Sequence, residues 1–311
     1  MSAVNPETVL VTGASSGIGL ELARCFATDG ARLVLVARNT PALEKLAVEL
    51  RRDCEVEATV LTADLSQSET PRNIFSELKG RGIVVDILVN NAGFGAHGRF
   101  SELPLQRQLE MIHVNVCALT ELTGLFLPGM LERRHGGVLN VASVASFVPG
   151  PGMAVYYASK AFVLSFTEAL AGEVAGIGVK VMALCPGPTE TNFGRVARVN
   201  GARQVRIARM TASEVAIQGH RAFRNGHMVD ISGWKNRLLV LLIRLTPRLL
   251  VRRITGRFNG LQDFPLHSGG VTKERHKGIH WLWFVIVLPL VAWFILHWLP
   301  IVLQSQSDKA A

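Results

Sequence analysis

Six short apolar runs recur along the chain: TVLVTG (8–13), ARLVLVAR (31–38), VEATVLTAD (56–64), VDILVNNAG (85–93), GGVLNVAS (136–143) and VKVMALCPG (179–187). Each is rich in β-branched residues and apolar at successive positions, so each reads as a strand covered on both faces. Between them lie stretches of helical period, such as 17–29, stopped at Gly30, and 40–52, entered through the sequence NTP. Strand–helix–strand alternation with right-handed crossovers gives an α/β fold with a doubly wound parallel sheet. A seventh short run, HMVDIS (227–232), is expected to close one edge. A chain of 311 residues accommodates this sheet as one domain with an appendage.

The loops after these strands carry the chemistry. TGASSGIG (Thr12–Gly19) follows the first strand and opens the first helix. Gly13 allows a tight turn, Gly17 lets backbone approach a pyrophosphate, and Gly19 permits close helix–strand packing. Ser15, Ser16 and Ile18 complete this turn, whose helix N-terminus offers N–H groups to phosphate. Such a turn after an apolar strand marks a Rossmann-like dinucleotide site. At the end of the second strand, where an acid would accept the ribose 2′-OH of NAD, stand Ala37 and Arg38. Arginine offers a bidentate clamp to a 2′-phosphate, which favours NADP(H), NADPH over NADH. Asp64 after the third strand, and Asn91, Ala92 and Gly93 of NNAG after the fourth, fall at the carboxyl ends where ligands gather in such sheets. Asp64 can equally cap the helix that follows it.

The only two tyrosines are adjacent, in AVYYASKAF. Tyr156 has Lys160 four residues on, one helical turn away and on the same face; Tyr157 has Ala161 there. An ammonium beside a phenol lowers its pKa by roughly 1–3 units, fitting Tyr156 for proton transfer near neutrality. Ser143, ending the fifth strand, can hydrogen-bond a substrate carbonyl beside it.

Beyond Gly233 the character changes. Residues 195–257 hold 14 Lys and Arg against Glu214 and Asp230, a local balance of +12 in a chain of net charge +9. In RLLVLLIRLTPRLLVRRI (237–254), Arg237, Arg244, Arg248 and Arg252 fall within about 80° on a continuous helix, a basic stripe on an apolar cylinder that Pro247 should kink or break. This segment fits a membrane interface or a cap over a substrate pocket, and the sequence leaves both open. The stretch 279–303 lies within a run, Gly278 to Ser307, without Asp, Glu, Lys or Arg. It is long enough to span a bilayer, with Trp281, Trp283 and Trp298 at its ends. Lys273, Arg275 and Lys277 precede it and only Lys309 follows, which places the body on the cytoplasmic side of a single-pass C-terminal anchor. The expected organisation is 1–232 nucleotide-binding and catalytic, 233–262 basic and amphipathic, 263–278 linker, 279–303 transmembrane and 304–311 tail.

Taken together, TGASSGIG, NNAG, HVN (113–115), a serine 13 residues before the tyrosine, Tyr-xxx-Lys and PGPTET (186–191) occur in order at fitting spacings. The chain resembles the short-chain dehydrogenase/reductase family over about residues 7–232. The resemblance implies Tyr156 as acid/base, Ser143 as the substrate-orienting residue, and Lys160 as holder of the nicotinamide ribose. It implies Asn115 in a proton relay through water to Lys160. Pro186, Gly187, Thr189 and Thr191 would flank the nicotinamide, and Asp64 and Leu65 the adenine. The VARN stretch and the basic apolar region look most like membrane-associated NADPH-using members acting on lipid-like carbonyls. Such members include 3-ketodihydrosphingosine and 3-oxoacyl reductases and hydroxysteroid or retinoid dehydrogenases.

The expected function is a membrane-anchored reductase of a hydrophobic, lipid-like ketone, with homodimer formation left open. The competing expectations are a dinucleotide-binding membrane scaffold without turnover and a retinoid or steroid dehydrogenase working oxidatively. Apolar candidates for the substrate pocket are Phe94, His97, Phe147, Met153 and Phe193, and residues 193–226 are expected to form a mobile flap. Arginines interleaved with long aliphatic runs, without exposed aromatics, argue against a nucleic-acid partner. Four scattered cysteines and isolated His97 and His113 lack metal-ligand spacing, so no metal is expected. The N-terminus runs into a strand at once, leaving no room for a signal peptide.

Overall fold

A computed structural model describes residues 6–191, 193, 197 and 210–261. The seven apolar runs form one parallel sheet: β1 (Thr8–Thr12), β2 (Arg32–Ala37), β3 (Ala58–Thr62), β4 (Ile87–Asn90), β5 (Gly136–Val141), β6 (Val179–Cys185) and the edge strand β9 (Val229–Ile231). Their order is β3-β2-β1-β4-β5-β6-β9. Alternate residues of each strand point to opposite faces, and both faces are buried. Val9, Val11, Leu33 and Leu35 pack under α1 (Gly17–Thr28) and α2 (Thr40–Cys54). Leu10, Val34 and Val36 share the other face with α3 (Thr70–Gly80), α5 (Leu119–Arg133) and α6 (Ala154–Glu173). Each fully buried aliphatic side chain contributes about 1.5–3 kcal/mol, which fixes register, because a one-residue slip would exchange the two faces.

The order reverses between β1 and β4, so the loops after these strands diverge and leave a crevice at their carboxyl ends. The helix preceding β5 is continuous from α4 (Leu105–Ile112) through a π-helical turn, His113–Ala118, into α5. Among the described residues, only Leu105–Arg133 is long and apolar enough to cross a membrane. Its Leu122, Phe126 and Met130 are buried against the sheet, as a core helix requires.

Two expectations change. The segment from 210 is no flap: β8 (Met210–Thr211) pairs with β7 (Thr189–Glu190), and α7 (Ala212–Arg224) packs on α1 with Val215, Ala216 and Phe223 buried. A capping box between Thr211 and Glu214 starts α7. The basic stripe along 237–254 is the other, although the break at Pro247 was itself expected. Pro247 divides it into α8 (Trp234–Leu245) and α9 (Arg248–Phe258), so the arginines do not share one stripe. Arg237 instead pairs with the buried Asp230 at 2.8 Å, and Arg244 lies over the Phe147 ring at 5.5 Å. The stretches expected as linker, transmembrane anchor and tail (263–311) lie outside the described residues.

Candidate active site

The glycine turn after β1 has the backbone that the sequence requires. Gly13 and Gly17 sit at φ +66° and +59°, where a side chain would be strained. A Cβ on Gly19 would collide with the Asn91 amide, so NNAG lies directly against the start of α1. Thr12 joins the two loops: its hydroxyl accepts from Asn91 N and Ala92 N, both at 3.0 Å, and donates to Val89 O at 3.2 Å. A fixed cradle for a pyrophosphate results, open where β1 and β4 part.

One cleft of about 1960 Å³ runs from this cradle past the ends of β5 and β6. It exceeds the volume of a drug-sized site (roughly 300–1,000 Å³), as a dinucleotide plus a second molecule would require. Every residue expected to hold the cofactor lines it, save Gly19, which lies beneath the Asn91 amide. Arg38 stands at the rim, 71% exposed and 3.9 Å from Asp64. Asp64 also accepts from Ser66 N at 3.0 Å, so it caps its own turn as well as facing the cleft. The donors, the cramped glycines and the exposed guanidinium fit an NADP(H)-type dinucleotide.

At the centre the four expected side chains converge. Tyr156 and Lys160 occupy one face at the start of α6, Ser143 ends the extended chain after β5, and Asn115 lies in the π-helical turn. Ser143 hydrogen-bonds the Tyr156 hydroxyl, and its Oγ accepts from Ala145 N at 3.1 Å. Lys160 Nζ donates to Val141 O at 2.7 Å. The Asn115 amide donates to Ser159 Oγ and Phe94 O, each at 3.0 Å, and accepts from Phe94 N at 3.1 Å. Asn115 therefore does not line the cleft; it braces the NNAG loop against α6 from behind. A Cβ on Gly93 would sit 3.0 Å from Asn115 Oδ1 and 3.4 Å from Lys160 Nζ, which explains glycine there.

The expected lowering of the tyrosine pKa is not found. Burial pushes Tyr156 up to about 12, against the pull of its bond to Ser143. Burial also draws Lys160 down to about 8. Lys160 stands one turn away as the spacing requires, but its ammonium turns to the Val141 carbonyl, and burial dominates the shift of the phenol. Tyr157 packs its ring against Gly150 and bonds the Asn259 side chain, and it too lines the cleft.

Of the apolar pocket candidates, Phe94, His97, Met153 and Phe193 line the cleft, whereas Phe147 is covered by Arg244. Several lining residues were not foreseen: Leu239, Leu242 and Ile243 of α8, Ile254 and Phe258 of α9, and Arg107, which stacks on Phe94 at 4.1 Å. Buried Asn236 also lines it, its Oδ1 unpaired among the described residues. No local motif announces them: α8 and α9 lie far beyond α6 in the chain, and Arg107 stands on α4, well before it. The 237–254 segment, left open between lipid and pocket, does wall the cleft.

The short chain dehydrogenase family model matches residues 7–200, and the chain belongs to that family. It is 33% identical over 195 residues to a very-long-chain 3-oxoacyl-CoA reductase of Anas platyrhynchos, covering 61% of this chain and 62% of that one. It is 31% identical over 247 residues to dehydrogenase/reductase SDR family member 7B of Mus musculus, covering 78% and 75%. The fold superposes on a short-chain dehydrogenase from Sphingobium yanoikuyae in complex with NADPH with a TM-score of 0.69, at 30% identity over 87% of this chain and all of that one. The chain spans about three fifths of the length of some curated relatives that it matches.

Proposed function

We propose that this protein is an NADP(H)-dependent reductase of a hydrophobic, lipid-like ketone, tethered to a membrane with its catalytic body on the cytoplasmic side. The observation that carries the reading is one cleft lined both by Tyr156, Ser143 and Lys160 and by Leu239, Leu242, Ile254 and Phe258. A polar proton-transfer centre inside an apolar enclosure suits a carbonyl on a greasy carrier. The similarity to a 3-oxoacyl-CoA reductase points the same way. Preference for NADPH rests on exposed Arg38 beside uncharged Ala37, and on similarity to a chain in complex with NADPH. The tether rests on the charge-free run from Gly278 to Ser307 and its flanking tryptophans.

A bound nicotinamide would supply the hydride. Tyr156 stays protonated through the physiological range, because burial holds its hydroxyl near 12, and it donates that proton to the carbonyl oxygen as charge develops there. Ser143 bonds Tyr156 and is placed to hydrogen-bond the same oxygen. Lys160, as a cation, stabilises the phenolate that remains. Asn115 holds the loop beneath them in register.

The test is Tyr156→Phe, followed by NADPH oxidation with long-chain 3-oxo substrates. Loss of turnover by roughly 10²–10⁴-fold is expected, with NADPH binding retained. Undiminished turnover would overturn the assignment, and NADPH binding without turnover of any ketone by the wild type would identify a scaffold instead.

A further inference from the structure

The helices that wall the cleft turn their apolar side to the outside. On α8, buried Asn236 and Val240 mark the inner face, and at 100° per residue Trp234, Leu238, Leu241 and Leu245 fall opposite them. Trp234 is 70% exposed and Leu245 52%. On α9, Leu249, Leu250, Ile254 and Phe258 are likewise exposed. Ten of the nineteen exposed large hydrophobic residues among the described ones lie between 234 and 258. A surface helix of a water-soluble body has the reverse polarity, and contiguous apolar patches of this kind mark an interface.

Charge identifies what covers it. The stretch 234–258 contains Lys235 and six arginines and no acidic residue. Arg237 is bonded to Asp230 and Arg244 lies over Phe147, but Arg248 and Arg257 are exposed beside the leucines. A second copy meeting this face about a two-fold axis would set arginines against arginines with no acid to answer them. The chain's own 279–303 segment carries no acid either. An anionic bilayer surface supplies both complements, acyl chains for the leucines and phosphate for the guanidinium groups, at about 1 kcal/mol per basic residue.

The cleft opens within this same face: Leu239, Leu242, Ile254 and Phe258 are exposed and also line it. We propose that the α8–α9 segment docks on an anionic lipid surface, with its outer leucines at the acyl–headgroup boundary and the mouth of the cleft opening into that layer. A lipid-dissolved ketone then reaches Tyr156 without crossing water. This last step rests on the reductase reading above; the docking does not.

The experiment is hydrogen exchange of the full chain in vesicles of phosphatidylcholine, with and without phosphatidylserine. Amides of 234–258 are expected to exchange at least about tenfold more slowly on the anionic vesicles, with the protection lost at high salt. Arg248→Gln with Arg257→Gln should weaken docking by roughly thirtyfold. Leu241→Glu with Leu245→Glu, outside the cleft, should abolish protection and raise the KM for a membrane-dissolved ketone several-fold, leaving turnover of a small water-soluble ketone unchanged. Equal exchange on both vesicles overturns the docking, as does protection that follows protein concentration or that reports contact with 279–303 whatever the lipid. Lipid-dependent protection in a protein that reduces no ketone upholds the docking and overturns the reductase reading.

Discussion

Replacing the buried lysine should make this protein more stable while it abolishes turnover. Lys160 is 6% exposed, and its ammonium has one described protein acceptor, Val141 O at 2.7 Å. Burial draws its pKa from 10.5 to about 8, a displacement worth roughly 3 kcal/mol. The unfolded chain keeps this proton up to about pH 10.5, whereas the folded chain keeps it only to about pH 8. Between those values the unfolded state binds more protons, so stability rises with pH; below about 8 the full cost stands. Lys160→Met substitutes an unbranched apolar chain of similar reach and removes that cost. It leaves the Val141 carbonyl unpaired, which returns about 1 kcal/mol. The net gain at pH 7 is about 2 kcal/mol, or roughly 4–8 °C in Tm for a domain of this size. By about pH 10 the folded wild type has shed the proton that the unfolded chain still largely holds, so most of the cost is relieved and the gain should be close to zero. Thermal unfolding of the unliganded variant and wild type at both pH values, alongside NADPH turnover, measures this. A variant that melts below the wild type at pH 7, or a gain that persists at alkaline pH, would refute the reasoning.

Arg38→Glu should raise the KM for NADPH at least tenfold and lower that for NADH, because it replaces a phosphate clamp by an acceptor for a ribose hydroxyl; steady-state kinetics with both cofactors will show it. The kcat/KM for ketone reduction should fall above about pH 8 as Lys160 loses its charge, with no separate alkaline limb from Tyr156 until pH approaches 12, where its hydroxyl is held; a rate that climbs through pH 8 would contradict this. Gly19→Ala should cost NADPH affinity and stability together, since its methyl group would strike the Asn91 amide and the Gly13 carbonyl; calorimetric titration and melting curves report both.

The sheet was legible because each strand declares itself locally: Val9 to Val11 and Leu33 to Val36 are apolar at every position, which only a strand covered on both faces requires. Tyr156, Lys160 and Ser143 were legible because one helical turn and one strand end place them. What depends on distant segments was not. The pairing of β7 with β8 joins residues 189–190 to 210–211, and nothing in either dipeptide announces the other. The division at Pro247 removed the basic stripe, and the structure committed Arg237 to a buried aspartate and Arg244 to an aromatic ring. The direction of the Tyr156 shift was misread because spacing reports the neighbouring charge and is silent on desolvation, which is larger here.

Asn259 ends α9, and its amide donates to Pro151 O at 2.8 Å while its side chain meets Tyr157 and its carbonyl meets His97 Nε2 at 2.8 Å. The cap is thus buttoned to Tyr157, the residue next to Tyr156, the proton donor of the proposed mechanism. Substrate entry and proton-donor alignment share one fastening, so a bulkier guest that pries the cap outward also tugs the first turn of α6. Exchanging the cap for that of a relative would then alter rate as well as selectivity, unless the asparagine and its three partners travel with it.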